Sequence, residues 1–206
     1  MAAIDVVSDL DELPDLRLEN GAILSARELE DVLFVHIVDG LVAVRTNVPR
    51  SARRAITCHA GAGALILPPG EGETLVALTD ARLVTVSSGD YERLLASPDA
   101  ARQLVDGLAE TLRQKHASVA RMARLHHVDR VREKLIELAR DHGRVGRDGI
   151  RLEFPLTHDL LGEMTGSARE TVTRALDELQ REGFVVRRGR SYSICMSPGD
   201  LTAATR

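Results

Sequence analysis

The most constraining feature of this chain is a change of texture at Ser97-Pro98. Beyond it, residues 99–126 contain no proline and a single glycine, Gly107. Before it, Gly and Pro punctuate short runs rich in Val, Leu and Ile. An unbroken helix fits only the later stretch, and short strands fit the earlier one. Ser97 supplies a helix cap, Pro98 suits a first helical turn, and Asp99 suits the N-terminal dipole. The pattern predicts a β domain over 1–97, a long helix and hinge over 98–127, and a further domain over 128–206.

Within the first region, "DVLFVHIVDGLVAVRT" has an apolar run, a turn at Asp39-Gly40, and alternation through Leu41, Ala43 and Arg45. That pattern predicts a hairpin. "GALILPPGEGETLVALTDARLVTVS" repeats the scheme, with turns at Pro-Pro-Gly and at Thr79-Asp80. Strands at this spacing predict a compact barrel or jelly-roll. On the long helix, Leu104, Leu108 and Leu112 form one narrow stripe, continued by Lys115, Val119 and Met122. Such a seam can pack on its own β domain or pair with a second copy of the chain. One narrow stripe suits a single partner helix, which favours a homodimer.

Composition excludes several classes. The 206 residues are 44% hydrophobic and 28% charged, so a globular core of aliphatic side chains is within reach, with aromatics at 2% and no Trp. No stretch approaches the roughly 20 apolar residues of a bilayer span. The acidic start, MAAIDVVSDLDELPDL, lacks the basic and apolar regions of a signal peptide. The expectation is a cytoplasmic protein without membrane contact. Its two cysteines, Cys58 and Cys195, are expected to be reduced.

The net charge of −4 conceals a division. Residues 1–100 carry 8 Lys+Arg against 16 Asp+Glu, whereas residues 101–150 carry 11 against 7. Residues 151–206 balance at 8 and 8, and all eight bases there are Arg. A basic second half fits ordinary helix surfaces or an acidic partner such as nucleic acid.

The block "LTHDLLGEMTGSARETVTRALDELQREGFVVRRGRSYSICM" carries most of the information. It follows a helix "RVREKLIELARDHG", expected to be capped by Asp129 and stopped at Gly143, and a strand "GIRLEF". The preceding His126-His127 pair cannot converge on a metal from adjacent helical positions, so a hinge or cap role is expected. Within the block, Thr157 caps a short helix that ends at Thr165-Gly166. Ser167 and Glu170 have the S-x-x-E spacing of a capping box for the next helix. Val172, Leu176 and Leu179 form its buried face, leaving Arg169, Glu170, Thr173 and Arg174 in its first two turns. A hairpin with Arg187, Arg188 and Arg190 follows. Two helices about a glycine turn, then a basic hairpin, describe a winged helix-turn-helix.

Its chemistry suits DNA. Arg pairs bidentately with guanine O6 and N7, and Glu accepts from cytosine N4. The expected base-reading set is Arg169, Glu170, Thr173 and Arg174. The expected phosphate-contacting set is Ser167, Thr171, Arg187, Arg188 and Arg190. The competing explanation is a salt-bridged surface helix, because Glu170 and Arg174 stand four residues apart.

The run "LTHDLLGEMTGSARETVTRALDELQREGFV" resembles the helix-turn-helix of the CRP/FNR superfamily of bacterial transcription regulators, most specifically in "SARETVTRALDELQREG". The resemblance is strong over about residues 125–195 and architectural over 1–100. It implies an α+β protein: an N-terminal antiparallel β-roll of cyclic-nucleotide-binding-like, jelly-roll type, a long dimerisation helix, and a C-terminal winged helix-turn-helix. The implied dimer interface is Leu104, Leu108, Leu112, Val119 and Met122. By resemblance, the family's base-reading Arg, Glu and Arg fall on Arg169, Glu170 and Arg174, and its phosphate-contacting hydroxyls on Thr157 and Thr171. A serine usual before the first Arg is Ala168 here. The implied partners are a TGTGA-like palindrome in double-stranded DNA, a second copy of the chain, and RNA polymerase if the protein activates.

The sensor end departs from the family. Cyclic-nucleotide-binding members have a phosphate cassette resembling G-E-[LI]-A followed by R-[ST]-A. Aligning the final strand "ARLVTVS" places Glu71 and Glu73 where that Arg, Ser and Ala should stand. Two carboxylates repel a phosphate, so control by cyclic AMP is not expected. Two cysteines are too few for a four-thiolate iron–sulfur cluster, and Cys58-His59 is a thin basis for haem. No cofactor and no metal are expected. A cupin-like metal-dependent enzyme built on His36 and His59 is the alternative. It lacks an H-x-H pair and a completing carboxylate, and no catalytic motif accompanies it.

Overall fold

The structure is a computed structural model that describes residues 13–49, 51–124, 126–147, 149–189 and 191–203. The chain divides into two compact units, Met1–Ser118 and Val119–Arg206.

The first unit contains β1 (Asp15–Leu18), β2 (Ile23–Ser25), β3 (Val32–Asp39), β4 (Leu41–Asn47), β5 (Arg54–Gly61), β6 (Leu65–Ile66), β7 (Glu73–Ala77) and β8 (Ala81–Ser87). Two helices follow, α1 (Ser88–Leu95) and α2 (Pro98–Arg124), the latter continuing past the division between units. The strands form two antiparallel sheets, ordered β1-β8-β3-β6 and β2-β7-β4-β5. Residues from both sheets, among them Val35, Ile37, Leu83, Val42, Val44 and Leu75, share one core. The N-terminal β-roll is therefore present.

The expected hairpin at Asp39-Gly40 is not. β3 pairs with β8 and β6, while β4 pairs with β5 and β7. The Asp39-Gly40 corner instead carries the chain from one sheet to the other. The Thr79-Asp80 corner makes the return crossing, from β7 to β8, and the two corners touch. Leu41 N–H donates to Thr79 Oγ1 at 2.9 Å, and Leu78 N–H to the Leu41 carbonyl at 2.8 Å.

The apolar run in β3 has the same cause. Val35 and Ile37 enter the core between the sheets, while Phe34 and Val38 pack on a second cluster with Val84, Val86, Leu94, Ala100 and Leu104. A strand covered on both faces reads as a continuous apolar run, so alternation was absent where it would have signalled the pairing. α1 was not expected; Ser87 and Asp90 form its capping box.

The second unit contains α3 (His127–His142), β9 (Gly143–Gly146), β10 (Gly149–Leu152), α4 (His158–Thr165), α5 (Arg169–Arg181), β11 (Val185–Arg188), β12 (Ser191–Ile194) and α6 (Pro198–Ala203). Its strands form one antiparallel sheet, ordered β11-β12-β10-β9. α3 packs against α4, α5, β10 and β12. Fully buried Val131, Leu135, Leu138, Leu161, Met164, Val172, Leu176 and Leu179 supply the aliphatic interior. The cap of α3 is His126 rather than Asp129, and it makes no side-chain capping bond. Asp129 lies within the first turn, where its charge suits the dipole. α3 does stop at Gly143, and β9 adds a strand that the sequence did not announce.

Candidate nucleic-acid interface

The interface is built from α4, the turn after it, α5 and the β11–β12 hairpin. Thr157 caps α4: its Oγ1 accepts the Leu160 N–H at 3.1 Å. α4 closes at Gly166 in the left-handed region, φ 64° and ψ 24°, which lets the chain double back into α5.

The expected capping box at Ser167 does not form. The N-cap of α5 is Ala168, which has no side-chain cap bond. Ser167 belongs to the turn: its N–H donates to the Gly162 carbonyl at 3.0 Å. The residue is 5% exposed, with Oγ 3.5 Å from both the Thr165 carbonyl and His127 Nδ1. An inward hydroxyl cannot serve a helix end or a phosphate, and Glu170 falls one position earlier than the box requires.

α5 buries Val172, Ala175, Leu176 and Leu179. Arg169, Glu170 and Arg174 are exposed, while Thr171 and Thr173 are half-buried. The Arg169 guanidinium lies 3.7 Å from Asp159 Oδ2, in a pair exposed on both sides. Such a pair is worth about 0–1 kcal/mol, so it orients the arginine without committing it. Behind α5, the Arg132 guanidinium stands 4.6 Å from the Phe184 ring centroid and pairs with Glu182. These contacts tie α3 to the end of α5.

The hairpin turns at Gly189. Arg187 and Arg188 are exposed on β11, and Arg190 lies outside the described residues. Arg187 Nε donates to the Gly189 carbonyl at 3.1 Å, and its guanidinium is 6.0 Å from the ring centroid of Tyr192, its register partner on β12.

One member of this site was missed in the sequence. His158, half-buried, places Nδ1 2.8 Å from Thr173 Oγ1 and Nε2 3.0 Å from the Tyr192 hydroxyl. Burial, then the charges of Arg187 and Arg169, hold its pKa below the usual histidine value, against Asp177 and Asp159. Burial also raises the Tyr192 pKa. Nothing in the local sequence signals His158, because its partners lie 15 and 34 residues away.

The seam of α2 separates into two. Leu104 is 7% exposed and joins the second β-roll cluster, against which Leu108 packs. Thr111 Oγ1 donates to the Leu65 carbonyl at 2.6 Å on the same side. Leu104 and Leu108 therefore pack on their own unit. Leu112 and Val119 are exposed at 55% and 66%, and Val105, which the stripe omitted, at 63%. These three stand seven residues apart, a repeat the sequence already contained. The Met122 side chain lies outside the described residues.

His36 and His59 do not make one site. They lie in different sheets, and the buried His36 ring has no hydrogen-bond partner on either nitrogen. Among the described residues, no group of three or more His, Cys, Asp or Glu could hold a metal ion. No described helix is long and apolar enough to cross a membrane.

Comparison with known proteins places this architecture. Residues 129–198 match the model of the Crp-like helix-turn-helix domain. The chain is 33% identical over 112 residues to a global nitrogen regulator of Synechocystis sp., which is 54% of this chain and 49% of that protein. It therefore spans about half the length of that relative. It is 24% identical over 170 residues to a CRP-like cAMP-activated global transcriptional regulator of Mycobacterium tuberculosis, covering 80% of this chain and 75% of that one. A transcriptional regulator of the CRP family from Thermus thermophilus shares the fold, with a TM-score of 0.75 at 21% identity over 91% of this chain and 95% of that chain. With a β-roll, a long helix and a winged helix-turn-helix in this order, the chain shares the fold of that CRP-family regulator, and its residues 129–198 form a Crp-like helix-turn-helix domain.

Proposed function

We propose that the protein is a homodimeric transcription regulator that reads a TGTGA-like palindrome in double-stranded DNA and is not controlled by cyclic AMP. The observation that carries this reading is the exposed Arg169, Glu170 and Arg174 on the first two turns of α5, with the opposite face buried. A helix N-terminus in a major groove brings such side chains to base edges. Arg169 and Arg174 suit guanine, and Glu170 suits cytosine N4. Thr173 contributes its methyl group, which suits a thymine, because its hydroxyl already contacts His158 and the Arg169 carbonyl.

Thr157, Thr171, Arg187, Arg188 and Arg190 contact phosphates in this reading, together with the free N–H groups of the first turn of α5. Ser167 is omitted because its hydroxyl is buried. A second copy pairs along Val105, Leu112 and Val119, setting half-sites about 34 Å apart, one turn of the duplex. RNA polymerase becomes a partner if the protein activates, and the cytoplasm is the expected location.

The cyclic AMP assignment rests on the turn into β7 and its first residue, Glu73. Glu73 Oε2 accepts the Gly70 N–H at 3.0 Å, and Glu73 Oε1 lies 3.4 Å from Thr57 Oγ1. This carboxylate takes a backbone donor that an anionic ligand would need.

The test of DNA reading is a mobility shift at fixed salt, comparing a TGTGA-N6-TCACA duplex with a scrambled one. Arg169→Ala should cost roughly 1–3 kcal/mol and relax discrimination at one base pair. An equal loss on both duplexes would refute the assigned role.

A further inference from the structure

His158 opens α4 beside the Thr157 cap, and its ring reaches two other elements. Its Nδ1 meets Thr173 Oγ1 on α5, and its Nε2 meets the Tyr192 hydroxyl on β12. Thr173 Oγ1 in turn donates to the Arg169 carbonyl at 3.0 Å. A threonine hydroxyl has one hydrogen. With that hydrogen on the Arg169 carbonyl, Oγ1 can only accept from His158, so Nδ1 carries a proton. In the neutral ring, Nε2 is then the acceptor and the Tyr192 hydroxyl the donor. One assignment satisfies every group: Tyr192 O–H to Nε2, Nδ1–H to Thr173, and Thr173 O–H to the Arg169 carbonyl.

We infer that His158 is a positioning residue: as the neutral Nδ1–H tautomer, it fixes the spacing between the base-reading first turn of α5 and the phosphate-contacting hairpin. The inference rests on the DNA reading proposed above. One end of the relay is the backbone of Arg169. The other is Tyr192, the register partner of Arg187. Base edges and backbone are engaged together only if these two elements keep one separation, which a locked side chain between them supplies.

Protonation undoes the arrangement in two ways. Nε2 gains a hydrogen and can no longer accept from Tyr192. A third positive charge also appears near Arg187 on β11 and Arg169 on α5, opposed by Asp177 on α5 and Asp159 on α4. Burial and the two arginines keep the ring neutral near pH 7. Acidification then loosens the spacing that sequence reading requires, while the added charge leaves non-specific attraction to phosphate intact.

Two measurements on the full chain test this. Long-range proton–nitrogen spectra of histidine-labelled protein should show His158 as the Nδ1–H tautomer, identified by the signals that vanish in His158→Gln. An Nε2–H ring would overturn the inference irrespective of any DNA result. Fluorescence anisotropy on the TGTGA-N6-TCACA duplex and on a scrambled duplex then measures discrimination against pH. The wild type should lose roughly tenfold in discrimination from about pH 8 to about pH 5.5. His158→Gln keeps an amide donor and acceptor without titrating, so it should retain discrimination and lose the pH dependence. His158→Ala should discriminate less at every pH. An unchanged pH profile in His158→Gln, or wild-type discrimination in His158→Ala, would overturn the proposal. Failure of the wild type to prefer the palindrome at any pH would count against the DNA reading itself, and the tautomer spectrum would still decide the relay.

Discussion

Gly40 and Gly166 both lie at positive φ, +86° and +64°, but an added methyl group meets different surroundings at each. At Gly166 nothing stands within 4 Å of the new carbon, so Gly166→Ala carries only the left-handed backbone penalty, about 1 kcal/mol. At Gly40 the new carbon falls 2.3 Å from the Asp80 carbonyl oxygen, where two sheet-crossing corners meet. Gly40→Ala should therefore cost roughly 2–4 kcal/mol. Thermal melts of the two variants against wild type check the contrast, and equal shifts would mean that the Gly40 corner relaxes freely. At this scale, Thr157 and Gly166 were legible because capping and turn chemistry are local. Ser167 was misread because a shift of one residue in the start of α5 moves a side chain from helix end to interior. His158 was invisible for the opposite reason, since its role is made entirely by distant partners.

Among the elements, α2 separates side chains that pack on the β-roll from apolar ones left exposed, which the proposed dimer would use. Leu104 and Leu108 cover the outer face of the β1-β8-β3-β6 sheet, whereas Val105, Leu112 and Val119 leave an apolar line in solvent. Leu104→Ala should lower stability by roughly 2–4 kcal/mol with little change in self-association. Leu112→Glu should leave the melting temperature of the β-roll nearly unchanged and shift the protein toward monomer in sedimentation equilibrium. The reverse pattern would return the interface to Leu104 and Leu108. Periodicity identified a long amphipathic helix correctly but assigned both jobs to a single stripe. A helix with two neighbours carries two overlapping patterns, and the sequence alone does not say which neighbour each serves. The hairpin expected at Asp39-Gly40 failed for a related reason: turn residues mark where a chain bends, but not which sheet receives it.

For the whole molecule, the central question is whether the first unit carries a signal to the second. An effector can shift DNA affinity only by its differential affinity for the two states of the protein. Cyclic AMP must therefore bind before it can act. Residues 1–100 hold 16 Asp+Glu against 8 Lys+Arg, so an anionic nucleotide approaches a surface of like sign. In the reading proposed above, the phosphate would face Glu71 and Glu73 where the chain enters β7, with the Gly70 N–H already engaged. The Mycobacterium tuberculosis relative is described as cAMP-activated, but 24% identity over 170 residues does not carry a loop's chemistry across. The order of domains was legible because strand-rich, helix-rich and turn-helix segments differ in texture. What a β-roll binds is set by side chains that no periodicity announces, and the proposal here rests on two acidic ones, Glu71 and Glu73. Titration calorimetry with millimolar cyclic AMP should show no saturable heat, and the anisotropy curve on the palindrome should be unchanged by the nucleotide. Stoichiometric binding that also tightens DNA affinity would mean that the loop rearranges, releasing Glu73 from Gly70 to admit the phosphate.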